Sequence, residues 1–135
     1  MTETPDAWPA IQRDTKSAPF FDAAARDELV IKRCTGCGQA LPPEALVCTT
    51  CAGTALDWIP AEGSGTLLTW TTVHRAPNRA YTDLVPYTVG IVELSEGPWL
   101  YARVDTARPS PDLPLRAEFV HPGDGESYPV FTAAE

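Results

Sequence analysis

The sequence has few basic residues and no long apolar run. Its 10 lysines and arginines stand against 18 aspartates and glutamates, which gives a net charge of −8. Nucleic acids and anionic membrane surfaces bind clustered lysine and arginine, so this balance argues against both kinds of partner. No stretch approaches the roughly 18 apolar residues of a transmembrane helix, and the opening MTETPDAW has no apolar signal region. The composition therefore predicts a soluble, cytoplasmic protein without a nucleic-acid or membrane partner.

The sequence also lacks the signatures of a self-sufficient enzyme. It contains no G-x-S-x-G, no phosphate-binding G-x-x-x-x-G-K-[ST] and no G-x-G-x-x-G. The two histidines, His74 and His121, stand far apart, and neither has an obvious serine or cysteine nucleophile beside it. We therefore expect no catalytic residue in this chain.

The four cysteines of the chain form a single motif, C-x2-C-x10-C-x2-C. They are Cys34, Cys37, Cys48 and Cys51. A two-residue gap lets both thiolates of a pair turn inward on one tight turn, and the ten-residue spacer is a hairpin that brings the second pair opposite the first. Four thiolates placed in this way suit a tetrahedral Zn²⁺ ion, and a closed site of this kind is structural.

Glycines beside the cysteines support a metal site, although the motif leaves other chemistries open. Gly36, Gly38 and Gly53 stand where such turns need a positive φ or a close backbone approach. Iron, as in a rubredoxin-like electron carrier, accepts the same four thiolates. Two disulfides would need an oxidising compartment, and a redox dithiol would need one cysteine pair alone. Structural zinc is the favoured prediction.

Fourteen prolines and nine glycines divide the chain into short segments, which favours strands joined by turns. Residues 1–16 are polar and are predicted to form a flexible N-terminal arm. A short helix is predicted over 17–27, with a serine at its N-cap position. A strand over 28–33 then leads into a rubredoxin-like ribbon over 34–55, so the helix and zinc ribbon together occupy 17–55.

From residue 56 to 135 the sequence predicts a small β-barrel. Five strand-like runs are LDWIP, GTLLTWTTVHRA, PYTVGIVEL, PWLYARV and LRAEFV, with SYPVF as an extension of the last hairpin. One long loop over 76–86 and a bend expected at Gly90 suit a closed five-stranded barrel. The OB-fold is the commonest barrel of this size, and an SH3-like barrel would show the same periodicity. The predicted fold class is therefore mainly β, with a short N-terminal helix, a zinc ribbon and an OB-fold barrel.

Several linked segments resemble a known family. APFFDAAARDELVIKRCTGCGQALPPEALVCTTC is followed by GSGTLLTWTTVHRAP, VPYTVGIVELSEGPWL and a closing PVF. Together they resemble the zinc-ribbon/OB-fold accessory proteins associated with thiolases, over roughly residues 17–132. The chain departs from the family pattern in two places. Phe21 stands where members often have tryptophan, and DLPLRAEF stands where they often have a Gly-Met-x-Val turn.

The resemblance implies a non-catalytic subunit of an acyl-CoA complex. Such proteins stabilise thiolases, aldolases acting on steroid side chains, or acyltransferases, and they help to hold the CoA or acyl part of the substrate. The catalytic residues then belong to a thiolase-like partner, with a two-plus-two complex as the expected assembly. By fold analogy alone, the alternative is a single-stranded nucleic-acid-binding module, which would need a basic groove.

Six residues are candidates for contacts with CoA or substrate: Lys32, Arg33, Trp70, His74, Arg75 and Arg79. Basic side chains pair with the phosphates of CoA, and a tryptophan stacks on adenine. The alternatives are that Trp70 packs in the core and that His74 and Arg75 are solvated. Lys32 and Arg33 could instead donate hydrogen bonds near the zinc thiolates, or form a solvated strand edge.

Three aromatic residues are candidates for the partner interface. Phe20 and Phe21 lie on the predicted helix, where we expect one to face the core and the other the partner. Tyr81 lies in the long loop and would anchor a partner. The alternatives are that the helix only covers the ribbon and barrel, and that the loop is simply mobile.

Overall fold

A computed structural model describes residues 7–134, which form a helix, a three-stranded sheet and a five-stranded barrel. The elements are α1 (Ala18–Ala24), β1 (Val30–Cys34), β2 (Ala40–Leu41), β3 (Leu56–Pro60), β4 (Ser64–Val73), β5 (Tyr87–Leu94), β6 (Trp99–Asp105), β7 (Pro114–Val120) and β8 (Tyr128–Ala133). The first sheet has the order β2-β1-β3, and the barrel closes in the order β4-β5-β6-β8-β7. This is the predicted arrangement of short helix, ribbon and OB-like barrel.

Helix α1 is shorter than predicted, because Asp27 adopts a left-handed φ of 61°. The N–H of Asp27 donates to the carbonyl of Ala24, and the N–H of Glu28 donates to that of Ala23, which ends the helix in a Schellman arrangement. Ser17 holds the N-cap position but does not cap the helix, since its hydroxyl bonds to the Asp14 carboxylate at 2.8 Å. No helix within residues 7–134 is long and apolar enough to cross a membrane.

Strand β3 belongs to the ribbon sheet, so the prediction that LDWIP is the first barrel strand is wrong. It runs antiparallel to β1 along its whole length, with Ile59 opposite Ile31. The segment SYPVF instead supplies the fifth barrel strand, β8, which pairs with β7 and meets β6 in parallel at two positions. Strand propensity shows that a segment fits a pleated surface and does not show which sheet it joins.

One hydrophobic core joins the ribbon to the barrel. Leu29 and Ile31 from the ribbon side lie in the same buried cluster as barrel residues of β4 to β8. The barrel members of this cluster are Leu67, Val92, Leu94, Leu100, Val104, Leu115 and Phe131. Helix α1 covers part of this core, since Phe20 packs against it. The ribbon therefore forms one folded body with the barrel.

The bend predicted at Gly90 takes the form of an irregularity in the neighbouring strand. The register between β4 and β5 shifts between Leu67 and Thr69. A Cβ atom on Gly90 would lie 2.8 Å from the Thr69 carbonyl oxygen and 2.9 Å from a Leu67 methyl carbon. Glycine at this position therefore leaves room for the bulge.

The N-terminal segment contacts the barrel over its described part, residues 7–16. The first six residues of the predicted flexible arm lie outside the described part of the chain. The Ile11 carbonyl accepts a hydrogen bond from the N–H of Glu126 at 2.9 Å. The Arg13 guanidinium bonds to the carboxylates of Glu126 at 2.9 Å and Asp22 at 2.8 Å, and its hydrogen bond lowers the pKa of Glu126. These contacts tie the segment to the β7–β8 loop and to α1, where the composition had predicted a loose arm.

Candidate functional site

The four cysteines meet at the end of the ribbon. Their sulfur atoms all lie within 4.8 Å of one another. The distance is 3.5 Å from Cys34 to Cys51 and 3.5 Å from Cys37 to Cys48, and all four are free thiols. Zn–S bonds of about 2.3 Å place the sulfurs of a tetrahedral site about 3.8 Å apart, so these residues fit a zinc ion.

The two cysteine pairs lie in turns of the same construction. The N–H of Gly38 donates to the Cys34 carbonyl at 2.9 Å, and the N–H of Ala52 donates to the Cys48 carbonyl at 2.9 Å. Both donors are left-handed, with φ of 82° at Gly38 and 64° at Ala52. The second turn therefore repeats the first with alanine in place of glycine.

Backbone N–H groups stabilise negative charge on the first cysteine of each pair. The N–H of Cys37 lowers the pKa of Cys34, and the N–H of Cys51 is the main cause that lowers the pKa of Cys48 to about 6. The N–H of Thr50 also lies 3.4 Å from the Cys48 sulfur. Because metals bind thiolates, these donors suit the site to a cation.

The pKa of the second cysteine of the first pair is shifted in the opposite direction. The N–H of Gln39 lowers the pKa of Cys37, but the hydrogen bond with Cys48 and burial outweigh it and raise that pKa to about 12. Metal ions bind the deprotonated thiolate form of cysteine, so zinc binding to these four residues would be coupled to release of their protons. Four thiolates leave zinc no open position for substrate, so the ion would hold the ribbon together without taking part in catalysis.

Lys32 supports the ribbon hairpin. Its ammonium donates to the Ala45 carbonyl at 2.7 Å and lies 4.8 Å from the centre of the Trp58 ring. Ala45 packs beside the buried cysteines, so Lys32 holds the segment between the two cysteine pairs. Arg33 is exposed on β1, opposite Asp57 of β3. A role of either residue in CoA binding stays a prediction.

The other candidate CoA residues lie along β4 and the loop after it. Trp70 is half-buried and packs against the barrel core, as its packing alternative predicted. His74 and Arg75 are exposed just beyond the end of β4. Arg79 is exposed at the start of a 3₁₀ helix, Arg79–Tyr81, within the long loop. Their contacts with CoA also stay predictions.

The three predicted interface aromatics are all half-buried. Phe20 and Phe21 contact each other edge to face at 5.4 Å, and Phe20 also packs on the core. Tyr81 lies in an aromatic group, 6.3 Å from Trp8 and 6.0 Å from Tyr87 between ring centres. The loop that carries Tyr81 is therefore packed against the barrel in this structure.

The most exposed large apolar side chains are not among the residues predicted from the sequence. Trp99 and Tyr101 on β6 are 55% and 77% exposed, and Leu46 and Val47 in the ribbon hairpin are 58% and 47% exposed. Strand alternation could have predicted this exposure. Residues two apart on a strand face the same side, so Trp99 and Tyr101 face away from the core when Leu100 is buried.

The side-chain contacts of His121 were likewise not predicted from the sequence. Its Nδ1 lies 2.9 Å from the Ser127 hydroxyl, and its Nε2 lies 2.6 Å from an Asp27 carboxylate oxygen. These are the residue types of a hydrolase triad, but Nδ1 faces the serine and the side chains of His121 and Asp27 are 44% and 68% exposed. The group ties the end of α1 to the β7–β8 loop across 94 residues of sequence.

Two family models match the chain. The ChsH2 rubredoxin-like zinc ribbon domain matches residues 21–57, and the ChsH2 C-terminal OB-fold domain matches residues 58–120. The first match contains all four cysteines, and the second contains the barrel strands β4 to β7.

Curated relatives include larger proteins. A probable enoyl-CoA hydratase alpha subunit of Thermomonospora curvata is 31% identical over 93% of this chain and 39% of its own length. The 3-oxo-4,17-pregnadiene-20-carboxyl-CoA hydratase alpha subunit of Mycobacterium tuberculosis is 30% identical over 92% of this chain and 40% of its own length. A DUF35 domain-containing scaffold protein of Methanocaldococcus jannaschii is 30% identical over 60% of this chain and 57% of its own length. The chain thus spans about two fifths of the two hydratase subunits.

Solved structures share the whole fold. A chain of the Ltp2-ChsH2(DUF35) aldolase superposes with a TM-score of 0.76 at 31% identity, covering 94% of this chain and 99% of that one. A DUF35-family protein of unknown function from Sulfolobus solfataricus has a TM-score of 0.61 at 9% identity, which shows the fold alone. The chain therefore belongs to the ChsH2/DUF35 family, whose members join a rubredoxin-like zinc ribbon to an OB-fold barrel.

Proposed function

We propose that the chain is a non-catalytic accessory subunit of a complex that acts on acyl-CoA or related thioesters. The observation that carries this proposal is the likeness, over 94% of the chain, to a chain of the Ltp2-ChsH2(DUF35) aldolase. Two relatives named as CoA hydratase alpha subunits support the same substrate class. A DUF35 scaffold protein supports the non-catalytic role.

The partner in this proposal is a thiolase-superfamily enzyme, in a two-plus-two complex. The residues of this chain favour a non-catalytic role. All four cysteines converge on the metal centre, and His121 is engaged in a surface tie. The accessory subunit would stabilise the partner and help to bind the CoA part of the substrate. The exposed His74, Arg75 and Arg79 are the candidates for the CoA phosphates.

Exposed apolar side chains supply candidate contacts with the partner. Trp99 and Tyr101 project from β6, and Leu46 and Val47 from the ribbon hairpin. Large aromatic side chains are the usual anchors of protein interfaces. The half-buried Phe20, Phe21 and Tyr81 remain candidates for the same role.

A second candidate partner is a hydratase subunit. The observation that favours it is that both hydratase alpha subunits align with more than nine tenths of this chain. In that case the chain would still serve an acyl-CoA complex, but the partner would add water to a double bond instead of making or breaking a carbon–carbon bond.

A pull-down from the native host tests the proposal. The tagged chain should retain a thiolase-like protein in near-stoichiometric amount, identified by mass spectrometry. The acyl-CoA activity of that partner is then assayed with and without this subunit, and it should fall when the subunit is absent. Recovery of a hydratase would select the second candidate.

Other recoveries would refute both candidates. Nucleic acid together with a salt-dependent shift of a labelled oligonucleotide would instead favour the single-stranded binding module. A red, iron-containing protein together with a retained redox enzyme would favour the electron carrier.

A further inference from the structure

A groove beside the barrel has seven aromatic residues in its lining. It lies between β6, β8, α1 and the N-terminal segment, and its volume is about 450 Å³, within the range of small-molecule sites. We call it the aromatic groove. Its aromatic members besides Trp8 are Phe20, Phe21, Tyr81, Tyr87, Tyr101 and Tyr128.

Three residues that line the aromatic groove carry hydrogen-bond donors that are available to a ligand. The indole N–H of Trp8 and the hydroxyl of Tyr128 are buried and have no hydrogen-bond partner in the described structure. The Arg103 guanidinium lies 3.8 Å from the centre of the Trp8 ring and 5.7 Å from that of Tyr128. The ion pairs found within residues 7–134 do not include Arg103. An unpaired guanidinium in a chain of net charge −8 is suited to an anion.

The position of the groove in the fold supports a binding role. In barrel order, β4, β5 and β6 are the first three strands of the OB-fold. OB-folds commonly bind ligands on the face of their second and third strands, between the first and the last connecting loops. Residues of β5 and β6 line the groove, together with Tyr81 of the first loop.

We propose that the aromatic groove binds an apolar hydrocarbon chain that ends in a carboxylate. The aromatic walls cover the hydrocarbon part, and the carboxylate oxygens accept hydrogen bonds from Arg103, Trp8 Nε1 and the Tyr128 hydroxyl. Burial without a partner disfavours both neutral donors in the free protein, and a carboxylate supplies the missing acceptor. The site needs this chain alone, so it extends beyond the accessory role proposed above.

Decanoate and 1-decanol are the probes, because they share a hydrocarbon chain and differ in charge. The isolated, zinc-loaded protein is titrated with each by calorimetry, below the concentration at which decanoate forms micelles. Decanoate should bind saturably and at least about 10-fold more tightly than decanol, because charge-assisted hydrogen bonds are roughly twice as strong as neutral ones. Decanoate should also shift the indole N–H resonance of Trp8 in the ¹H–¹⁵N spectrum.

Variants separate the carboxylate contacts from the apolar walls. Arg103→Gln should weaken decanoate about 10-fold and leave decanol unchanged. Trp8→Phe and Tyr128→Phe each keep a ring but remove a donor, and each should weaken decanoate several-fold. Trp58→Phe changes an aromatic residue of the ribbon sheet, outside the groove lining, and is the matched control. If Arg103→Gln unfolds the protein, the two donor-removing variants still decide the question.

Three results would overturn the proposal. They are no saturable binding of decanoate, equal affinity for the two probes, and donor-removing variants that bind decanoate like the unchanged protein. None of them depends on a partner enzyme. Failure here would therefore leave a recovered thiolase-like partner unaffected, and failure to recover a partner would leave decanoate binding unaffected.

Discussion

The two turns of the metal ribbon have different residues at the position after the second cysteine, and this difference allows a direct test of backbone strain. Gly38 follows Cys37 with a φ of 82°, and Ala52 follows Cys51 with a φ of 64°. A residue with a Cβ atom costs about 1–2 kcal/mol in the left-handed region. The second turn therefore carries strain that the first one avoids.

Ala52→Gly should stabilise the folded protein. Relief of the left-handed alanine contributes about 1–2 kcal/mol. Glycine also gives the unfolded chain more freedom, which opposes this gain by about 0.4–1 kcal/mol. With the middle of each range, the net increase in the free energy of unfolding should be about 0.8 kcal/mol. Gly38→Ala should produce a loss of similar size, since no heavy atom lies within 4 Å of the added Cβ and the cost comes from φ alone.

Urea unfolding of the zinc-loaded protein measures this effect, and chelator competition measures it independently. Because metal binding and folding are coupled, the same energy should tighten zinc binding about 2–5-fold for Ala52→Gly. Ala55→Gly is the matched control, because Ala55 is an exposed ribbon residue outside the left-handed region. It should lose about 0.4–1 kcal/mol. Equal destabilisation by Ala52→Gly and Ala55→Gly would refute the strain argument.

The other predictions concern the ribbon, the surface tie and the interface. Lys32→Met should lower the free energy of unfolding by about 1–3 kcal/mol through loss of its charged hydrogen bond, whereas exposed Arg33→Gln should change it by less than about 0.5 kcal/mol. Similar values in urea unfolding would contradict this difference. His121→Ala should cost up to about 1 kcal/mol, and unchanged stability would show that the exposed tie contributes nothing. Trp99→Ser should reduce partner recovery in the pull-down about 10-fold at an unchanged melting temperature, and full recovery would exclude Trp99 from the interface. Chelation of zinc should increase amide exchange in the barrel as well as in the ribbon, and an unaffected barrel would mean that the two are independent.

Short-range sequence patterns predicted the ribbon and most barrel strands, because the turns and strands that form them depend on residues close together in the sequence. The spacing of the cysteines fixes two local turns, and runs of β-branched residues mark segments that fit a sheet. The pairing of β3 was mistaken because it depends on Ile59 meeting Ile31, which lies 28 positions earlier, across the shared core. Local sequence therefore predicts that a segment forms a strand, but it does not predict which strand it pairs with.

The surfaces that could bind a ligand or partner were harder to predict. The contact of Asp27 with His121 spans 94 residues, and Arg103 of β6 contacts Trp8 in the N-terminal segment. Sequence periodicity does not predict such long-range contacts, since they form only when loops and termini fold onto the barrel. The exposed pair Trp99 and Tyr101 is different, because strand alternation alone places both on one side.

The metal ribbon and the barrel share one hydrophobic core, and we expect this to give the metal an influence beyond its ligands. Cys34 is the last residue of β1, and Ile31 of the same strand is fully buried in the barrel core. Burial of such a side chain contributes about 1.5–3 kcal/mol, but only while β1 stays in place between β2 and β3. Loss of the ion would release the end of β1 and uncover part of the core from the ribbon side. A structural zinc ion would therefore stabilise the barrel faces that we propose as ligand and partner sites, although it lies in the ribbon.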